Sequence, residues 1–281
     1  MAQSWSRVAE DLLRSGSAAS LQWEGVTLAT HFQPIHAARR GARAGYEALL
    51  RAQDASGAPI RIDGLVEEAA NNGLLVQMDH AVRALHLRNF ATVDPGEGRL
   101  FLEVHPNAAV ADMGNAREFG DLIRYYGLLP RRVCIELLPR ACGAEEVLAD
   151  AVSAYRELGI TIALQDFGVG CSNLDRLAAL RPALVKLRQA TLSQAMGESK
   201  AKAGFPTLVG MLQDAGCQVV VEGVETVQQA LAAIDSGANF LQGSYLSGSG
   251  NGVGSDEFVS KILGRLAVIH AERVAAPAGD W

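Results

Sequence analysis

Five short apolar segments of the sequence end in ionisable or amide side chains. The clearest is the run 160–164, rich in β-branched residues, which leads into Gln165 and Asp166 and then into a bend containing Gly168 and Gly170. The other four segments end at Glu103, at Glu136, at Lys186 with Arg188, and at Glu222. Buried strands that stop at polar, glycine-containing bends produce this pattern. Carboxylate and amide oxygens suit hard divalent cations, so we expect the strand ends to form one polar mouth.

Strands and helices alternate along most of the chain. The hydrophobic pattern predicts strands over 26–32 and 44–50, and then near 100–105, 132–137, 160–165, 183–187, 218–222 and 239–242. It predicts helices over 3–14, 63–72 and 76–90, and then near 114–126, 144–158, 172–180, 201–216, 226–236 and 256–271. The polar strand ends favour a (β/α)8 TIM barrel, and no GxGxxG follows the first strand as a Rossmann arrangement would require.

Composition narrows the class of protein. The chain has 281 residues, 49% of them hydrophobic, and a formal net charge of −6. Lysines and arginines are spread along the sequence, so a nucleic-acid polymer is not expected as a partner. No apolar run is long enough to span a membrane, and the four cysteines lack CxxC spacing. We therefore expect a cytoplasmic protein with reduced thiols.

The polar strand ends stand in segments that resemble the EAL family of bacterial signalling domains. These segments are FQPI at 32–35, YEALLR at 46–51, LFLEVHP at 100–106, VCIEL at 133–137, QDFGVGCSNL at 165–174, VKLR at 185–188, VVVEGVET at 219–226 and FLQGSYLS at 240–247. The resemblance implies a modified TIM barrel with one antiparallel strand. We divide the chain accordingly into an N-terminal amphipathic helix within 1–19, an EAL-like barrel over 20–272 and a flexible tail over 273–281.

Active members of this family cut cyclic di-GMP to its linear form, pGpG, with two divalent metals, usually magnesium or manganese. By resemblance, the metal ligands are Glu47, Glu136 and Asp166, with Glu103 as a further carboxylate. Lys186 and Glu222 match the pair that orients and activates the attacking water. Gln33, Leu49, Arg51 and Gln242 match positions that contact the nucleotide or complete its site, and Glu225 matches a supporting residue.

Four family positions are substituted in this sequence. An asparagine on the second barrel strand is Glu103, and the first member of an aspartate pair, which bridges both metals, is Gln165. An acidic residue three positions after Glu136 is Pro139, and an aspartate two positions after the lysine is Arg188. A neutral amide cannot bridge two cations by charge, and Arg188 adds a permanent cation. We expect Arg188 to neutralise the neighbouring carboxylates in place of a metal.

Three function classes follow from these substitutions. The first is a degenerate EAL domain that binds cyclic di-GMP without cutting it and signals to a protein partner or as a homodimer. The second is a protein-interaction module that has also lost the nucleotide. The third is a phosphodiesterase with low residual activity that uses magnesium or manganese. The retained nucleotide positions favour the first class, for which no cofactor is expected.

Overall fold

The computed structural model describes residues 19–93, 98–142, 145–197, 199–247, 259, 263–266 and 268. The predicted N-terminal helix over 3–14 and the predicted tail over 273–281 lie outside these residues. The chain forms two compact units. The first contains the described residues up to 32 together with 46–162, and the second contains 33–45 and the described residues from 163 onward. Within the described residues, no helix has the length and hydropathy needed to cross a membrane.

Over its described residues, the first unit combines short sheet segments with five helices. Its strands are β1 (Leu21–Trp23), the start of β2 (Val26–Ala37), most of β3 (Arg43–Gln53), β4 (Pro59–Ile60), β5 (Arg99–Val104) and β6 (Val133–Leu137). Its helices are α1 (Ile62–Asn71), α2 (Leu75–Val93), α3 (Pro106–Ala111), α4 (Ala116–Tyr125) and α5 (Glu145–Glu157), with a short 3-10 turn at Pro130–Arg132. β5 and β6 pair in parallel, whereas β1 pairs with β2 and β3 with β4 in antiparallel fashion.

The second unit carries a mainly parallel sheet. Its order is β7 (Thr161–Leu164), β8 (Leu184–Leu187), β9 (Gln218–Val221), β10 (Phe240–Leu241) and the end of β2, which is antiparallel to β10. The helices are α6 (Leu174–Leu180), α7 (Gln189–Gly197), α8 (Ser199–Asp214), α9 (Val227–Asp235) and α10 (Ser244–Ser247). Each parallel connection passes through at least one helix, as parallel pairing requires.

The strands are buried because their sequences are apolar on both faces. Every residue of β6 and every residue of β8 is buried, including Glu136 and Lys186. Parallel strands covered by helices show this continuous burial. A charged side chain in such a strand is costly to bury without a compensating partner, so both residues mark positions with a role beyond packing.

The predicted strands and long helices within the described residues are confirmed, with ends shifted by a few residues. β2 and β3 are longer than predicted, reaching Ala37 and Gln53. Five short elements were not predicted: β1, β4, α3, α7 and α10. Elements of two to nine residues carry too few apolar repeats for periodicity to identify them, and pairing or packing fixes them instead.

Candidate functional site

The first unit places three of the predicted carboxylates on neighbouring strands. Glu47 on β3 is 3% exposed, Glu136 on β6 is fully buried, and Glu103 on β5 is partly exposed. Glu103 and Glu136 are direct partners in the parallel register of β5 and β6. Residues in register on adjacent strands point to the same face of the sheet, about 4.8 Å apart. The two carboxylates therefore share one level and one face.

The predicted nucleotide contacts of β3, Leu49 and Arg51, lie on the same side of the strand as Glu47. Glu47, Leu49 and Arg51 are separated by two residues each, so their side chains lie on one face of the strand. Leu49 is half-buried, and Arg51 is exposed, with Nη1 donating to the carbonyl of Leu50 at 3.2 Å. The face of β3 that bears Glu47 thus becomes progressively more exposed toward Arg51.

Lys186 and Glu222 form a short ion pair in the second unit. Lys186 Nζ lies 2.5 Å from Glu222 Oε1, and the two side chains are 0% and 18% exposed. Lys186 is on β8, and Glu222 directly follows β9, held by a backbone hydrogen bond from its N–H to the carbonyl of Leu187 at 2.9 Å. The parallel register therefore brings together the two residues that the sequence assigned to one functional pair.

Gln165 and Asp166 form the bend that follows β7. Gln165 is 9% exposed, and Asp166 adopts φ 50°, in the left-handed region. This conformation is uncommon for residues other than glycine, although aspartate tolerates it better than most. The next amide, that of Phe167, donates to the carbonyl of Lys186 at 3.0 Å, which ties the bend to β8. A neutral amide therefore occupies the buried position at the end of β7, and Asp166 is turned out of the strand direction.

Arg188 is placed differently from the expectation. It follows β8 and is exposed, and no described residue forms an ion pair or a side-chain hydrogen bond with it. The predicted neutralisation of neighbouring carboxylates by Arg188 is therefore not seen. Lys186 lies within the strand and is buried, whereas Arg188 lies one residue beyond the end of β8 and is exposed.

Gln242 and Gln33 meet at the end of the second unit's sheet. Gln242 Nε2 donates to Gln33 Oε1 at 3.0 Å, and Gln242 is 2% exposed. Two backbone hydrogen bonds fix the position of Gln242. Its N–H donates to the carbonyl of Val221 at the end of β9, and the N–H of Val224, which follows β9, donates to the carbonyl of Gln242. A Cβ at Gly243 would lie 2.1 Å from the Val224 carbonyl oxygen, so only glycine permits this approach.

Two further predicted residues lie in exposed or partly exposed positions. Glu225 is exposed, and its N–H donates to Gln229 Oε1 at 2.7 Å, next to the capping box that begins α9. Pro139 is partly exposed and lies two residues after β6. Among the residues that the structure describes, no group of three or more His, Cys, Asp or Glu side chains is arranged to hold a metal ion.

Sequence reasoning missed a buried charge cluster in the first unit. Arg83 is fully buried, with Nε 2.6 Å from Asp79 and Nη1 2.8 Å from Asp112. Asp112 also lies 2.6 Å from His80 Nε2 and accepts a 2.6 Å hydrogen bond from the hydroxyl of Tyr155. Burial alone would raise the pKa of Asp112, but Arg83 and His80 together lower it to about 2. The spacing of Asp79 and Arg83 was the one available signal, because Asp112 and Tyr155 are remote in sequence.

Comparison with known proteins gives a consistent result. The protein-family profile described as EAL domain matches residues 18–249. The probable cyclic di-GMP phosphodiesterase PdeB of Escherichia coli is 26% identical over 229 residues, which cover 78% of this chain and 42% of that protein. The chain thus spans less than half the length of this relative.

Solved structures resemble the chain at the level of the fold. The YkuI protein of Bacillus subtilis, in complex with c-di-GMP and calcium, matches with a TM-score of 0.73 and 22% identity, covering 88% of this chain and 63% of that one. BlrP1 of Klebsiella pneumoniae, in a manganese and c-di-GMP complex, matches with a TM-score of 0.69 and 21% identity, covering 81% and 57%. The predicted fold class, an α/β barrel of TIM type with one antiparallel strand, is confirmed.

Proposed function

The chain belongs to the EAL domain family, and from this premise we propose that it is a catalytically impaired member that binds cyclic di-GMP without hydrolysing it. Relatives of the chain are named cyclic di-GMP phosphodiesterases, and solved members hold c-di-GMP together with calcium or manganese. The proposal transfers the ligand of these relatives to the chain but not their hydrolytic activity.

The main support for the proposal is that Gln165 occupies a position where active family members have a carboxylate. The resemblance implies a carboxylate here that bridges two divalent cations, and the chain supplies a neutral, nearly buried amide. Two cations held close together repel each other, so a bridging ligand must contribute negative charge. An amide oxygen contributes a dipole only. The donors present therefore do not fit a two-metal centre, and no cofactor is expected for the unmodified chain.

The ion pair between Lys186 and Glu222 is the observation that favours the second candidate, a residual phosphodiesterase. By resemblance, these two residues orient and activate the attacking water, and Lys186 Nζ lies 2.5 Å from Glu222 Oε1. The Glu222 side chain is 18% exposed, so water can reach its carboxylate. Magnesium or manganese would be needed only for such residual activity.

Several retained side chains support nucleotide binding. Gln33 and Gln242 are held together by their 3.0 Å hydrogen bond, which orients two amide groups at the end of the second unit's sheet. Arg188, in the same unit, is exposed, and a guanidinium group binds phosphate oxygens through paired donors. We propose that these residues recognise the bases and phosphates of cyclic di-GMP without a bridging metal. The barrel over 20–272 then acts in the cytoplasm on a protein partner or a second copy.

Calorimetric titration with cyclic di-GMP at several magnesium concentrations tests the proposal, with chromatography for pGpG in the same samples. We expect saturable binding whose affinity is unchanged by magnesium or EDTA, and no pGpG. Binding that disappears in EDTA would contradict metal-free recognition. Accumulation of pGpG would support the residual phosphodiesterase instead, and absence of binding under all conditions would support an interaction module that has lost the nucleotide.

A further inference from the structure

A short loop over 222–226 connects β9 to α9 in the second unit and begins at Glu222. Hydrogen bonds to residues at the ends of β8 and β10 fix its first half. The N–H of Glu222 donates to the carbonyl of Leu187 at 2.9 Å, and the N–H of Val224 donates to the carbonyl of Gln242 at 3.0 Å. The position of Gln242, one of the proposed nucleotide contacts, is therefore coupled to the conformation of this loop.

Gly223 brings the same loop into contact with the start of α7. It adopts φ 66°, and a Cβ at this position would lie 2.2 Å from Gln189 Cβ. Only a residue without a side chain can approach its neighbour so closely. The first half of the loop is thus fixed by backbone contacts with residues at β8, β10 and α7.

The second half of the loop is held by one side chain of α9. Gln229 Oε1 accepts hydrogen bonds from the N–H of Glu225 at 2.7 Å and from the N–H of Thr226 at 3.0 Å. A backbone N–H can only donate, so the atom that receives both bonds is the amide oxygen of Gln229. The Thr226 hydroxyl completes a capping box by accepting from the N–H of Gln229 at 3.2 Å.

The bond between Gln229 and Glu225 goes beyond what capping requires. A capping box links the residue before the helix, here Thr226, with the third helical residue, here Gln229. Glu225 precedes the capping residue, and its bond to Gln229 is the shorter of the two backbone bonds. Gln229 therefore reaches past the start of α9 into the segment that directly follows Val224.

We propose that Gln229 is a positioning residue of the nucleotide site, an inference that rests on the proposed binding of cyclic di-GMP. Its side-chain oxygen fixes the backbone at 225–226, which directs the N–H of Val224 toward the carbonyl of Gln242. The side-chain amide of Gln242 is then held against that of Gln33 by their 3.0 Å hydrogen bond. A preorganised loop strengthens binding, because the complex forms without the entropic cost of ordering it.

Matched substitutions at neighbouring positions test this role by calorimetric titration with cyclic di-GMP. Gln228 precedes Gln229 on α9 and is exposed. Gln229→Met removes the acceptor and should weaken binding about three- to tenfold, as expected for the loss of neutral hydrogen bonds, whereas Gln228→Met should bind like the parent. Gln229→Glu keeps an acceptor oxygen and should bind as tightly as Gln228→Glu, which carries the same added charge. Equal affinities of the two methionine variants would overturn the proposal.

A second measurement separates positioning from helix capping. Loss of a cap alone destabilises α9 but leaves the surroundings of the Gln242 side chain unchanged. In ¹⁵N-labelled protein without ligand, Gln229→Met should shift the side-chain amide resonance of Gln242, assigned by its absence in Gln242→Met, and Gln228→Met should not. An unshifted resonance in Gln229→Met would show that Gln229 is a helix cap only, and the proposal would fail.

The two measurements distinguish failure of this inference from failure of the proposed function. A parent chain that does not bind cyclic di-GMP would contradict the proposed function and the role of Gln229 in nucleotide binding. The Gln242 resonance is observed without ligand, so it would still decide whether Gln229 positions Gln242.

Discussion

The ammonium of Lys186 is completely buried, and the carboxylate that pairs with it, Glu222, remains 18% exposed. Removing either member of this pair therefore has unequal consequences. Glu222→Gln leaves an ammonium buried without its carboxylate, which costs about 3–5 kcal/mol in comparable buried pairs. Lys186→Met leaves a carboxylate that water can reach, so we expect a clearly smaller loss. Urea unfolding at pH 7 measures the free energy of unfolding of both variants. Equal losses in the two variants would contradict the expected difference.

Gln165→Asp restores the carboxylate that the family resemblance implies at the end of β7. We expect this single change to leave pGpG production far below that of an active relative, because the substitutions at Arg188 and Pro139 remain. Chromatography with magnesium and with manganese measures the rate. A normal rate in the single variant would show that Gln165 alone disables the site.

Arg188→Ala separates a structural role from a ligand-binding role. Because Arg188 is exposed and forms no ion pair with a described residue, the free energy of unfolding should change by less than about 0.5 kcal/mol. Affinity for cyclic di-GMP should fall about tenfold, as expected for one charged hydrogen bond to phosphate. Arg39→Ala, at an exposed turn between β2 and β3, is the matched control and should leave affinity unchanged. Equal affinities for all three proteins would remove Arg188 from the binding site.

Arg83→Met should be among the most destabilising substitutions in the first unit. It leaves Asp79 and Asp112 buried without their guanidinium partner, at a cost of about 3–5 kcal/mol. Arg124 forms an exposed pair with Asp121 at 2.9 Å, so the control Arg124→Met should cost less than about 1 kcal/mol. Denaturant unfolding distinguishes the two, and similar losses would show that the buried cluster is not stabilising.

His86 should make the fold sensitive to mild acid. Its pKa is lowered from 6.5 to about 3 by burial, so between these values the unfolded chain binds a proton that the folded chain does not. Above pH 6.5, His86 is neutral in both states and does not lower the free energy of unfolding. Below pH 6.5, protonation of His86 in the unfolded chain lowers the free energy of unfolding, by about 2 kcal/mol at pH 5. His86→Gln should flatten the dependence of the unfolding free energy on pH between 7 and 5. A slope equal to that of the parent would assign the effect to other groups.

The sequence was informative where charge interrupts an apolar strand. Glu136, Lys186 and Glu222 were identified because each lies at the end of an apolar segment, and the pairing of Lys186 with Glu222 was implied by the family resemblance. The same sequence pattern does not predict whether Arg188 is buried or exposed. Its neighbour Lys186 is buried, and only the structure shows which of two cations in one segment is buried.

The contacts between helices were beyond sequence reasoning for a different reason. Asp112 meets Arg83, His80 and Tyr155, which lie on α2 and α5, and no periodicity within one helix reports on a partner in another. The contact between His86 and Thr30 could not be predicted for the same reason, because the two residues are 56 positions apart. Local patterns predict elements, whereas side-chain networks depend on how the elements pack.

The hydrogen bond between Gln33 and Gln242 joins residues 209 positions apart. During synthesis, the β2 strand is made roughly 200 residues before β10, its antiparallel partner in the second unit. β5 and β6 are close in sequence and can pair long before that. Closing so long a loop is entropically unfavourable and slows folding. The edge of β2 that β10 later covers is thus unpaired while the intervening residues are made, and an unpaired strand edge can pair with another chain.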